Sequence, residues 1–503
     1  MKTSKRQLLV PALAALSLAC AGEKSAARAP APPRDIPVAS VPAATTPDAP
    51  FRAGKPESLS GALAFEAPVP VQRKLKNGIM VLVRENHAIP LVVVEVAVRT
   101  GVNGEPESKA GLSEFTASML TEGTKTRGPL EIATALEDLA ANLYAAAGLE
   151  ATRVHLNCLT ETLPSALDVL ADVVQHPAFK AADIERLRGQ KLTGLEQKNG
   201  YPGAIAADQL ARLLYGNKHP WGKPAGGTPK SIASITAKDL AGFHAAWFHP
   251  DNTLITLSGD VTAEQAVQLL EQKFGGWKGK ARAKVKLPAT PGLKERVLVV
   301  VERPNQSQSA VFFAAPLFPA ASPDAVTMQV ANSIIGGLFG SRLNLNLRED
   351  KGYSYGVRSS VALTHDDGTF IASGGIIAKN TVEAAAEMKK ELERFGSGEV
   401  TEAELAQAKE GAVRSLPSAL ETNDAVASAL NGLVVKGLPF DYYATLPARV
   451  AAVTPAEVKR VVAKYLGTTP WQTVIVGPVG PMEAGLEGLG LGKVQKVALE
   501  GAK

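Results

Sequence analysis

Two spacings of apolar residues alternate along this chain and mark its strands and helices. Arg73-Lys74-Leu75-Lys76-Asn77-Gly78-Ile79-Met80-Val81-Leu82-Val83 places an Asn-Gly pair between strand-like runs, which predicts a β-hairpin because Gly accepts the positive φ of such turns. Leu91 to Val98 is a nearly unbroken apolar run rich in β-branched residues, the pattern of a strand covered on both faces. Leu130 to Leu139 has helical spacing, a second strand pair is expected around Tyr144 to Leu159, and long helices are expected at Leu163 to Val174 and Asp183 to Gln197. This order predicts an α+β domain: a mostly antiparallel sheet with helices packed on one face.

The pattern then repeats. Ile235-Thr236-Ala237-Lys238-Asp239-Leu240 runs through Trp247 to the apolar strand ending Leu257-Ser258-Gly259. Val453-Thr454-Pro455-Ala456-Glu457-Val458 does the same, 218 residues later, through Tyr465 to Ile475-Val476-Gly477. Each copy opens on a Thr N-cap with an acid three residues on, a capping box at the start of a helix. Two homologous α+β domains explain the repeat. The boundaries read as 64–279 and 294–490, with a linker at 280–293 and a tail at 491–503. Four Lys, one Arg and two Pro between Lys278 and Leu293 suit an exposed connector.

Composition agrees. A chain of 503 residues, 45% hydrophobic and 20% charged, has length for two cores. The formal charge of +5 is spread among acids with no Lys/Arg cluster interleaved with aromatics, so nucleic acid is not an expected partner. Lys2, Lys5 and Arg6 precede the apolar run Leu8 to Ala19, which is too short to span a bilayer and reads as a signal peptide over residues 1–20. It ends at Leu16-Ser17-Leu18-Ala19-Cys20, which resembles a lipoprotein cleavage box, so Cys20 is the expected lipid anchor, facing the periplasm of a bacterial envelope; a soluble periplasmic protein is the alternative. The Ala/Pro-rich residues 21–63 read as a disordered tether. Only Cys158 remains besides Cys20, which leaves no disulfide framework and suggests a buried thiol.

The chemistry centres on Gly111-Leu112-Ser113-Glu114-Phe115-Thr116-Ala117-Ser118-Met119-Leu120-Thr121-Glu122-Gly123-Thr124. Its frame, G-L-x-x-F-x-x-x-M-L, resembles the zinc helix of the M16 (pitrilysin or insulinase-like) peptidases, which active members fill with His-x-x-Glu-His. There two His bind zinc and the Glu is general base on the zinc-bound water. In this chain those three positions are Glu114, Ala117 and Ser118, and the third family ligand, a Glu about 75 residues on, falls at Gly194. No imidazole and no base remain, so no metal is expected on this chain.

The resemblance extends into the second half and implies that the two domains form a clam-shell. Gly336-Gly337-Leu338-Phe339-Gly340-Ser341-Arg342-Leu343 and Leu347-Arg348-Glu349-Asp350-Lys351-Gly352-Tyr353-Ser354-Tyr355-Gly356 are similar to the second-domain motifs of the family. The resemblance implies that Arg348 and Tyr355 bind the substrate backbone and stabilise charge on its carbonyl. The bland reading pairs Arg348 with Glu349 or Asp350 and puts Tyr355 in a core. The glycines lack phosphate-loop spacing and mark either a tight helix-to-helix turn or a flexible loop at a substrate entrance. The seven His (His87, His155, His176, His219, His244, His249 and His365) include no pair at i, i+3 or i, i+4, so no second metal site is expected.

The family solves half-sites by pairing chains. The resemblance therefore implies a noncatalytic subunit that lends Arg348 and Tyr355 to a partner M16 chain with an intact His-x-x-Glu-His, which brings the zinc, the pair acting on short or unfolded peptides. One alternative is a scaffold lipoprotein of peptidase ancestry; another is an autonomous zinc peptidase with a rearranged site.

Overall fold

A computed structural model describes residues 65–279 and 285–498. The signal segment, Cys20, the whole of the tether and linker residues 280–284 lie outside the described residues. The strands are β1 Val71–Lys74, β2 Met80–Glu85, β3 Leu91–Val98, β4 Asn142–Ala147, β5 Thr152–Leu159, β6 Thr253–Gly259, β7 Val297–Glu302, β8 Gln308–Leu317, β9 Ser354–Leu363, β10 Gly368–Ile377, β11 Gln472–Gly477 and β12 Lys493–Lys496. Helices of eight residues or more are α1 Leu112–Leu120, α2 Pro129–Asp138, α3 Leu163–Gln175, α4 Ala181–Lys198, α5 Pro202–Tyr215, α6 Ala237–Trp247, α7 Ala263–Phe274, α8 Ala325–Asn332, α9 Thr381–Gly396, α10 Glu402–Arg414, α11 Asn423–Val435, α12 Tyr442–Ala452 and α13 Pro455–Val462.

The strands form two six-stranded sheets, ordered β1-β2-β6-β3-β5-β4 and β12-β7-β11-β8-β10-β9. The internal repeat is visible here, because β2, β6, β3, β5 and β4 take the places of β7, β11, β8, β10 and β9. Both sheets are mostly antiparallel; β2 with β6, β7 with β11 and β12 with β7 are the parallel pairs. The predicted hairpin is β1–β2, with Lys74 opposite Met80 and Gly78 at φ +99°. The sheet at the end of the chain extends further than the sequence boundary: β12 lies in the segment read as a tail and pairs with β7.

Side-chain alternation explains how the halves join. In β3, Val92, Val94, Val96 and Val98 pack with α1, α3, α6 and α7 of their own half, while Ala97 belongs to the core of the other half. In β7, Leu298 and Val300 face their own core, and Val297, Val299 and Val301 face away. Both faces are therefore apolar, and a half's own helices cover only one of them. The expected one-sided layer is completed by exchange. Helix α5 of the first half lays Ile205, Ala206, Leu210 and Leu214 on Val299, Val301, Ala310, Val474 and Val476 of the second sheet. Helix α11 of the second half packs on β3 and β6 of the first. Ile205, Leu210 and Leu214 are at most 3% exposed, and burying each contributes about 1.5–3 kcal/mol.

The seam under α11 is more polar than the one under α5. Asn431, fully buried, donates to Glu95 Oε1 at 2.7 Å and accepts from the Thr256 hydroxyl at 2.5 Å. Asn423 accepts from Ser258 Oγ at 3.3 Å and from Asn86 Nδ2 at 3.2 Å. The turns joining β4 to β5 and β9 to β10 also meet: the Glu150 carboxylate accepts from the His365 backbone N–H at 2.9 Å.

Candidate functional site

Helix α1 starts at Gly111, whose φ of +87° and crowding against Gly226 and Gly227 (an added Cβ would lie 2.9 Å from their backbone) admit only glycine. Glu105 closes its first turn, accepting the N–H groups of Gly111 at 3.0 Å and Ser113 at 2.8 Å and the Ser113 hydroxyl at 2.5 Å. Burial pushes its carboxyl up to about 7 against those three donors. Leu112, Phe115, Met119 and Leu120 face the core, so the framework of the motif is structural, and the other side of the helix presents the positions where a metal centre would be.

None of those positions is suited to a metal. Ala117, where a general base would stand, is a fully buried methyl. The Ser118 hydroxyl donates to its own helix, at Glu114 O, at 2.9 Å. Glu114 is already engaged: Oε2 accepts the Ala147 backbone N–H at 3.1 Å and Oε1 lies 3.6 Å from Lys191 Nζ on α4. Gly194 is one turn beyond Lys191, exposed, with nothing within 4 Å of an added Cβ. Lys191 spans part of the Phe115 ring, its nitrogen 5.6 Å from the centroid. Burial lowers its pKa, and the neighbouring Glu114 carboxylate opposes that. Among the described residues no group of three or more His, Cys, Asp or Glu is placed to hold a metal ion. The donor set does not fit zinc, which needs deprotonated S, N or O ligands converging from several side chains.

A cavity of about 760 Å³ opens between β4, β5 and α11, next to this region through Ala146 and Ala147. Two contacts in its walls cross between the halves, with His155 Nε2 2.9 Å from Asp424 Oδ1 and Arg153 donating to Ser428 Oγ at 3.2 Å, while within the first half Arg153 Nε sits 3.4 Å from Glu95 Oε1. Tyr144 stacks on His155 with centroids 4.8 Å apart. Sequence reasoning passed over Glu95, Arg153 and Asp424, and weighed His155 only among the histidines that make no metal pair. The available signal was charge inside apolar strands, since Glu95 lies directly opposite His155 and Arg153 is two residues along on the same face.

Arg348 and Tyr355 are elsewhere. Neither is among the residues lining the cavity. Arg348 lies in a wide π-type turn, Leu345–Asp350, with Nε 3.1 Å from Glu349 Oε1 and its guanidinium carbon 4.7 Å from the centre of the Phe339 ring. The local ion pair of the bland reading is present. Tyr355, however, is 87% exposed, the opposite of a core residue. The Gly336–Gly340 stretch is a helix-to-helix connection, and an added Cβ on Gly336 would stand 2.4 Å from the Ser359 nitrogen of β9. Cys158 is buried, its thiol pushed up to about 12 by that burial, and therefore unreactive.

A duplicated α+β fold carrying a metal-peptidase frame without metal ligands defines a class: peptidase homologues in which the zinc motif is lost. Residues 80–224 match the insulinase (peptidase family M16) domain, and residues 234–412 match the peptidase M16 inactive domain. This chain belongs to the M16 peptidase family. It is 26% identical over 411 residues to an uncharacterized zinc protease, YmxG, of Bacillus subtilis, covering 81% of this chain and 98% of that one. It is 27% identical over 384 residues to the non-peptidase homolog YmxG of Helicobacter pylori, covering 75% and 87%. A peptidase M16 inactive domain from Pseudomonas fluorescens superposes with a TM-score of 0.75 at 26% identity over 81% of this chain and 98% of that one.

Proposed function

We propose that this chain is the noncatalytic subunit of a two-chain M16 peptidase acting on short or unfolded peptides, with zinc, bound water and general base supplied by a second M16 chain. The observation that carries the reading is the occupation of the first ligand position: Glu114 is committed to the Ala147 N–H and Lys191, so this chain does no metal chemistry alone. The exposure of Arg348 and Tyr355 supports a role in trans. The partly exposed Arg348 guanidinium and the exposed Tyr355 phenol are available to a peptide held between the two chains, where they stabilise negative charge developing on the scissile carbonyl oxygen. Glu349 must then release Arg348, which costs little for a pair this exposed. The open cavity supports a peptide-holding subunit over a scaffold, whose interior has no need of one. Lipid attachment at Cys20 would keep the pair at the envelope.

The test is reconstitution with an M16 chain that has an intact zinc motif. Arg348→Ala and Tyr355→Phe are each expected to lower kcat of the pair by about 10²-fold, the size of effect seen when one transition-state donor is removed, with little change in chain association. An unchanged kcat, or no association with any zinc-bearing M16 chain, refutes the proposal.

A further inference from the structure

β4 is an edge of the first sheet and, among the described residues, pairs only with β5. In an antiparallel ladder successive residues point their N–H and C=O groups alternately toward the partner strand and away from it. The turn bond from Gly148 N–H to Ala151 O fixes the phase. Gly148, Ala146 and Tyr144 turn toward β5, and Ala147, Ala145 and Leu143 turn outward. An open edge of this kind invites a further strand. Its last outward donor, Ala147, is not free, because Glu114 Oε2 accepts it at 3.1 Å while Glu114 Oε1 faces Lys191 Nζ at 3.6 Å.

We propose that Glu114 and Lys191 form a metal-free latch: the Lys191 ammonium, reaching over from α4, steers the Glu114 carboxylate onto the Ala147 N–H and keeps that end of the β4 edge occupied against an incoming strand. The latch links three elements, α1, α4 and β4, around the place where the family frame would put a metal. A +1 charge on a flexible stem takes the structural role of a +2 ion, and its carboxylate partner takes a backbone donor rather than a metal. Both partners are held. The Lys191 side chain is 17% exposed and lies along the Phe115 ring, and Glu114 is fixed through both oxygens. The meaning of the latch for peptide binding rests on the peptide-holding role proposed for this subunit, whereas its existence does not.

The experiment is amide hydrogen exchange on the full chain, followed over β4 and β5, for the wild type, Glu114→Ala, Glu114→Gln and Lys191→Met. A charge-assisted bond protects its donor by about ten-fold or more. Ala147 is therefore expected to exchange at least about ten-fold faster in Glu114→Ala, and by an intermediate amount in Lys191→Met and in Glu114→Gln, where a neutral acceptor remains. Val154 and Leu156 of β5 should keep wild-type protection in every variant. Unchanged exchange at Ala147 in Glu114→Ala and Lys191→Met, or equal acceleration throughout β5, overturns the latch. A fluorescein-labelled decapeptide of alternating Val and Thr, titrated against the same proteins, tests the peptide-holding role separately. Tighter binding to Glu114→Ala than to wild type supports the latch as a barrier to strand addition. Faster exchange with no peptide bound by any variant still supports the latch and counts against the peptide-holding role.

Discussion

Asn431 ties the two halves together through a single buried side chain. It is fully buried on α11, accepts from Thr256 at 2.5 Å and donates to the buried Glu95 carboxylate at 2.7 Å. Replacing it by Ala leaves Glu95 with only the Arg153 guanidinium, at 3.4 Å. Losing a hydrogen bond to a buried carboxylate costs about 1.5–3 kcal/mol, and leaving the Thr256 hydroxyl without an acceptor adds about 1 kcal/mol, so the expected destabilisation is about 3 kcal/mol. Equilibrium denaturation in urea measures it. The same reasoning makes Thr256→Val in the Asn431→Ala background cheaper than the two changes separately, because the orphaned hydroxyl is gone; a coupling of about 1 kcal/mol is expected. Since Asp424, Ser428 and Lys436 line the cavity from or beside α11, amide exchange along that helix should rise as well. A loss below about 1 kcal/mol, or strict additivity in the double mutant, would mean that water already satisfies these groups and that the polar seam does not hold the halves together.

Two further outcomes follow from local physics. Gly194→Ala should stabilise the chain by about 0.5–1 kcal/mol, because Gly194 lies inside α4 with an open Cβ position and glycine there only adds backbone entropy to the unfolded state; a denaturation midpoint that does not rise contradicts this. His244 lies against Phe248, its Nε2 2.8 Å from Val174 O, and burial depresses its pKa to about 4. The folded chain therefore takes up this proton later than the unfolded chain does, and stability is lost as pH falls from about 6.5 to about 4, by roughly 1–2 kcal/mol once partial solvent access is allowed for. His244→Gln keeps a donor for Val174 and should flatten that slope; an unaltered slope in thermal melts across this range would reject the assignment.

Local pattern and the internal repeat announced the duplicated α+β architecture, because a two-residue alternation, capping boxes at Thr236 and Thr454, and an Asn-Gly turn are consequences of backbone geometry that a few neighbouring residues settle. The loss of the zinc motif was likewise legible, since Ala117 and Gly194 carry no donor side chain in any fold. Long-range placement was not. Sequence spacing does not say that α5 and α11 each cross to the opposite sheet, as that follows from which strand faces remain uncovered once both halves have folded. Nor does it say that Lys191, 77 residues from Glu114, would reach Glu114, or that Tyr355 would stand exposed. Identity of the chemical groups belongs to the chain, but whether a carboxylate meets a metal, an ammonium or a peptide N–H is decided by packing, because only the tertiary structure fixes which of those lies within a few ångströms.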